Sequence, residues 1–272
     1  MPDVYATISR AATAVTGPLA EILELRGADP QQQAMRRAYL SDVEFPPAAR
    51  VVEIGCGPGP VARFLAGLPG VGSVVGVDPS PYFLARGREL ARDLPNVTFV
   101  AGDGRAVPLG DQTVDVVVFH TTLCHIPGPE RALAEAYRLL RPGGWLAVFD
   151  GDYMTISCAT SDHDPLQACA DATAENLIHD RWLGRRLPGL VRGAGFEQGR
   201  LRGHSYVEAP SSGAYLLAII DRGADALLAG GRVGPDLAAA LKAEARRRSD
   251  AGEFFGHIGY VSVVARRPAL PG

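Results

Sequence analysis

Val51-Val52-Glu53-Ile54-Gly55-Cys56-Gly57-Pro58-Gly59 reads as a buried strand that stops in a glycine-rich turn, and Pro60 to Leu68 reads as the helix that follows. Glycine has no Cβ, so such a turn lets backbone approach a ligand closely. The helix start adds unpaired N–H groups and a partial positive charge. Together they predict a nucleotide or anion pocket at the end of a first strand.

Two common glycine-rich turns do not fit. No Gly-Lys-Ser/Thr follows, so the phosphate-loop pattern is absent. A dinucleotide turn is spaced G-x-G-x-x-G, whereas Gly55, Gly57 and Gly59 are spaced G-x-G-x-G. Glu53 adds a further restriction. A carboxylate at the strand end would repel a pyrophosphate and suits a ligand carrying an amine or a sulfonium charge.

Further acids fall at intervals beyond this turn. Gly76-Val77-Asp78-Pro79-Ser80 ends a second strand and places Asp78 at the ~20-residue spacing of a nucleotide-binding βαβ unit. Val97-Thr98-Phe99-Val100-Ala101-Gly102-Asp103-Gly104 reads as a third strand and its exit. Val114-Asp115-Val116-Val117-Val118-Phe119-His120 reads as a fourth, and Leu139 to Leu146, with Arg141-Pro142-Gly143-Gly144 inside it, as the turn before a fifth.

The ordered set resembles class I S-adenosylmethionine-dependent methyltransferases over about residues 45 to 150. Leu123-Cys124-His125 is similar to the Leu-His-His of the ubiquinone and menaquinone biosynthesis (type 11) branch, with Cys124 as a departure. The resemblance implies S-adenosyl-L-methionine as cofactor and no metal. It implies cofactor contacts from Glu53, Gly55, Gly57, Gly59, Asp78, Pro79 and Ser80, with Asp78 accepting from the ribose hydroxyls. Asp103, Gly104 and Arg105 are then expected around the adenine. His120 is expected beside the reacting methyl, as a general base or as a backbone contact to the cofactor; its ordinary pKa of about 6.5 suits proton transfer near neutral pH. Asp152, Tyr153 and His257 are the candidates for holding the acceptor.

Strands are expected at about 50–55, 73–78, 97–102, 114–120, 144–150, 196–207 and 254–266. Helices between the first five predict a Rossmann-like α/β sheet of about seven mostly parallel strands with helices on both faces. Residues 1–45 read as an N-terminal helical cap in which Gly17-Pro18 divides one helix into two. Residues 46–272 read as the methyltransferase domain, with helical additions at about 151–195 and 209–252, a break near Leu187-Pro188, and Ser212 as the cap of a helix at about 212–229. Asp150-Gly151-Asp152-Tyr153 is expected to follow the fifth strand. The cap and the second addition are the natural material for a lid.

The chain has 272 residues and a formal charge of −3, which argues against nucleic acid as its main partner and favours a small-molecule substrate. Arg246-Arg247-Arg248 reads as a solvated helix face. The four cysteines have no metal spacing, the first residues lack the apolar run of a signal peptide, and no run of about 18 apolar residues occurs, so a reducing cytoplasm is expected. Two other activities share the expected pocket: a cofactor-binding enzyme that catalyses a rearrangement without methyl transfer, and a non-enzymatic cofactor-binding protein.

Overall fold

The computed structural model describes residues 3–208 and 215–270. A 3-10 turn, Tyr5–Arg10, leads into α1 (Thr13–Ala28) and α2 (Pro30–Leu40). The alternating part comprises β1 (Ala49–Ile54), α3 (Pro60–Ala66), β2 (Val71–Asp78), α4 (Pro81–Leu90), β3 (Val97–Ala101), β4 (Val114–His120), α5 (Pro129–Leu139) and β5 (Leu140–Ser157). It is followed by α6 (Pro165–Asn176), α7 (Leu183–Gly193), β6 (Arg200–Glu208), α8 (Tyr215–Ala229), α9 (Pro235–Asp250) and β7 (Gly256–Arg266).

The strands form one sheet in the order β3-β2-β1-β4-β5-β7-β6. β1 to β5 pair in parallel, and β7 runs antiparallel to both β5 and β6. Val51, Val52 and Ile54 of β1 and Val116 to Phe119 of β4 are buried, the near-continuous apolar run of strands covered on both faces. α5 shows the complementary pattern: Ala132, Leu133, Ala136 and Leu139 turn inward at helical spacing while Glu130 and Arg131 face water. The strand order reverses direction between β1 and β4. In open α/β sheets that switch point opens a crevice at the carboxyl ends of the strands.

Three local expectations are corrected. α1 runs unbroken through Gly17-Pro18, and the break falls before it, at Ala11-Ala12. Part of the clash that a proline imposes on the residue before it is with that residue's Cβ, which Gly17 lacks. Pro188 likewise lies inside α7, and the break between α6 and α7 spans 177–182. β5 does not stop at Asp150, because β7 pairs with it through Asp152↔Gly259 and again at Ser157↔His257. Ser212 lies outside the described residues. No helix among the described residues is long and apolar enough to cross a membrane.

Candidate active site

Gly55, Gly57 and Gly59 all adopt positive φ, at 73°, 55° and 82°. A Cβ on Gly55 would also meet Thr122 Cγ2 at 2.1 Å, so the protein's own packing requires glycine there. The turn is clamped to the neighbouring strand. Gly57 N–H donates to Asp78 Oδ2 and Ser80 N–H donates to Asp78 Oδ1, both at 2.8 Å. Burial pushes the Asp78 carboxyl up to about 6 against those two donors. Ser80 itself caps α4, its Oγ accepting from Phe83 N–H.

A cavity of about 280 Å³ lies at this switch point. Glu53, Gly55, Gly57, Asp78, Pro79, Asp103, Gly104, Arg105, His120 and Tyr153 line it. Gly59 and Ser80 act behind that lining, as the N-caps of α3 and α4. The opposite wall comes from outside the alternating strands and helices. Tyr5, Arg26 and Arg36 belong to the N-terminal segment, Tyr215, Ile219 and Arg222 to α8. Gly27 explains how α1 comes so close: a Cβ there would meet Pro60 Cβ, at the head of α3, at 2.5 Å.

The acids differ in their surroundings. Glu53 is 2% exposed, and burial pushes its carboxyl up to about 8 against the pull of Arg36. Its Oε2 is buried without a hydrogen-bond partner. Asp103 is gripped by Arg105, which donates from Nε at 2.9 Å and from Nη2 at 2.6 Å, and this holds Asp103 below the usual carboxylate range. Arg105 also donates to Pro127 O at 3.2 Å, so the Asp103–Arg105 pair is tied to the loop after β4.

His120 Nδ1 lies 3.0 Å from the Tyr39 hydroxyl, and its ring stacks on Phe149 at 4.8 Å. Phe149 stacks in turn on Tyr260 at 4.9 Å. Burial, reinforced by Arg26 and Arg36, pulls His120 well below its ordinary pKa. The imidazole is therefore neutral near pH 7 and fixed in orientation. It can accept a hydrogen bond or a proton, although as a weaker base than an exposed histidine.

Asp152 and His257 do not reach the cavity. Successive side chains of a strand point to opposite faces. With β5 continuing through this stretch, Tyr153 faces the cavity and Asp152 faces away, where its carboxylate accepts from Arg185 Nε on α7 at 2.9 Å. His257 is held at the β6–β7 pairing, with Nε2 3.1 Å from Ser205 Oγ and Nδ1 3.3 Å from Thr155 O. Arg26, Tyr215 and Arg222 were not foreseen. Nothing in the sequence separates these arginines from the many that remain at the surface.

The N-terminal segment is pinned across the cavity. Asp3 accepts from Tyr5 N–H and His179 N–H at 2.9 Å each and pairs with His125 Nδ1 at 2.5 Å. Tyr5 packs on the His125 ring at 4.5 Å. Among the described residues no group of three or more His, Cys, Asp or Glu side chains is placed to hold a metal ion.

Residues 52–148 match the family model described as "Methyltransferase domain". This segment is a class I methyltransferase domain. The chain is 31% identical over 164 residues to cycloartenol-C-24-methyltransferase 1 of Oryza sativa subsp. japonica, covering 56% of this chain and 44% of that protein. It is 33% identical over 127 residues to the demethylmenaquinone methyltransferase of Renibacterium salmoninarum, covering 46% and 51%. The chain thus spans about half the length of these curated relatives. The fold of the methyltransferase domain and its additions is similar to that of a putative methyltransferase from Bacillus halodurans C-125. The TM-score is 0.60 at 20% identity, over 86% of this chain and 98% of that one.

Proposed function

We propose that this protein transfers a methyl group from S-adenosylmethionine to a small-molecule acceptor by direct displacement. One observation carries the reading: acids at the ends of β1, β2 and β3 converge on a single cavity, and the first of them, Glu53, has an unpartnered Oε2. A buried carboxyl oxygen without a donor is costly. The α-ammonium of a methionyl group supplies both the missing donor and a positive charge. Asp78 spends one lone pair of each oxygen on backbone N–H groups, and the remaining pairs can accept from a ribose diol. The Asp103–Arg105 pair stands where an adenine edge would be read. These residues fit the cofactor.

When bound, S-adenosylmethionine supplies a methyl already activated on a sulfonium. The protein's contribution is alignment and removal of water, which can supply up to ~7–11 kcal/mol in well-oriented cases. His120 presents a neutral, immobile imidazole toward the acceptor side and can take a proton if the acceptor must lose one. The net charge of −3 suits a small-molecule partner better than nucleic acid. A reducing cytoplasm suits four buried free cysteines.

Isothermal calorimetry with S-adenosylhomocysteine tests the reading. We expect saturable binding at one site per chain. Folded protein that binds neither this product nor S-adenosylmethionine would sink the proposal.

A further inference from the structure

Arg26 is 7% exposed and lines the cavity, yet its charge is not matched by a protein carboxylate. Nη1 donates to Thr121 Oγ1 at 2.8 Å, whereas Nε and Nη2 are buried without partners among the described residues. Nε and Nη2 form one edge of the guanidinium, the fork that engages both oxygens of a carboxylate. The surrounding groups are aromatic: the guanidinium lies 5.5 Å from the Tyr215 ring centroid and 5.7 Å from that of Tyr260.

The nearby acids act on Arg26 at most from a distance, as Asp150 does, and among the described residues none is hydrogen-bonded to it. Asp150 accepts from Cys124 N–H and Gly151 N–H, and Asp3 pairs with His125. The undescribed residues 209–214 include no acidic side chain in sequence. A second cation, Arg222 of α8, lines the same cavity, 6.0 Å from the Tyr5 ring centroid. A buried guanidinium without a counter-charge is costly, and an anionic ligand relieves that cost.

We propose that the acceptor is a carboxylate-bearing molecule with an apolar or aromatic body, held by the free edge of Arg26. The proposal rests on the methyltransferase reading and names its substrate class. A methionyl carboxylate has the same chemistry, but two observations favour the acceptor. The guanidinium lies against the rings of Tyr215 on α8 and Tyr260 on β7, away from the ends of β2 and β3. Arg36, which neighbours Glu53, has a free Nε of its own for the cofactor end.

The test uses the full chain, with and without saturating S-adenosylhomocysteine, titrated calorimetrically with three pairs of probes: benzoate and benzamide, phenylacetate and phenylacetamide, hexanoate and hexanamide. At least one carboxylate should bind tenfold or more tightly than its neutral amide. Arg26→Gln should bring that ratio within twofold while changing S-adenosylhomocysteine affinity less than threefold. Arg26→Lys, which keeps the charge and loses the fork, should fall between and serves if the glutamine variant does not fold. No carboxylate preference in any pair overturns the proposal, as does a preference that survives both substitutions. A tenfold or greater loss of S-adenosylhomocysteine affinity in Arg26→Gln also overturns it, assigning the fork to the cofactor's own carboxylate. Carboxylate preference through Arg26 without any S-adenosylhomocysteine binding upholds the anion site and overturns the methyltransferase reading instead.

Discussion

The two walls of the cavity are built on opposite terms. On the strand side, polar groups are largely paired within the protein: Asp78 takes two backbone N–H donors and Asp103 is held by Arg105, with the Glu53 oxygen as the exception. On the facing side, Arg26 and Arg36 keep buried donors without a partner among the described residues, and the N-terminal segment is held by the contacts of Asp3. The strand wall is thus preorganised, while the helical wall stores unmet electrostatic demand. The difference suits a site that holds one constant ligand on the sheet and selects another with its additions.

Breaking the strand wall should have the largest effect. Asp78→Ala removes a charged acceptor from the ribose, worth about 1.5–3 kcal/mol, and also leaves Gly57 N–H and Ser80 N–H unpaired, at ~1–3 kcal/mol each. We expect S-adenosylhomocysteine affinity to fall by at least tenfold, together with a lower melting temperature. A variant that melts and binds like the parent would show that the clamp does not exist.

Glu53 sharpens the comparison through pH. Its carboxyl is held protonated to about 8 in the fold but ionises near 4.5 when the chain unfolds. The ligand-free protein should therefore lose stability as pH rises from about 4.5 to about 8, with the full penalty present above that range. Ligand binding should run the other way, tightening from pH 6 to 8 as the carboxylate becomes available to a cation. Glu53→Gln should flatten both slopes and weaken binding. Parallel melts and calorimetric titrations across pH would check this; a parent protein whose affinity is flat from pH 6 to 8 contradicts the assignment.

The facing wall should yield the smallest change. Asp3→Asn keeps one acceptor oxygen, enough for Tyr5 N–H, and puts an NH2 group where Oδ2 accepts from His179 N–H and meets His125 Nδ1. We expect faster amide exchange over residues 5–10 and a loss of S-adenosylhomocysteine affinity of no more than a few-fold. Unaltered exchange would mean that the segment is held by apolar packing of Ile8 and its neighbours rather than by this pair.

Asp78, Asp103 and His120 could be placed from sequence because each ends a β-rich run, and parallel strands that share one sheet bring their carboxyl ends to one edge. Tyr153 was foreseen for a similar positional reason. Asp152 failed because a loop was read where strand pairing with β7 enforces alternation, and that pairing partner lies about a hundred residues away in the chain. His257 failed for the same kind of reason: its ring is engaged by β6 and by Thr155. Pro18 and Pro188 were read as breaks, yet both lie inside helices. A single proline removes one backbone donor and does not by itself outweigh the burial of a helix face.

By itself the sequence determined the alternating α/β order, the glycine turn between the first strand and its helix, and the acids that end the first three strands. These are local matters of period, turn chemistry and spacing. Only the tertiary structure decided that Arg26, from a helix preceding the whole sheet, and Tyr215, from one inserted before its last strand, share the cavity with Glu53 and His120. Whether an arginine is a solvated surface charge or a buried, unpaired one depends on what packs around it. That burial is set by contacts between segments far apart in the chain, which spacing and composition do not encode.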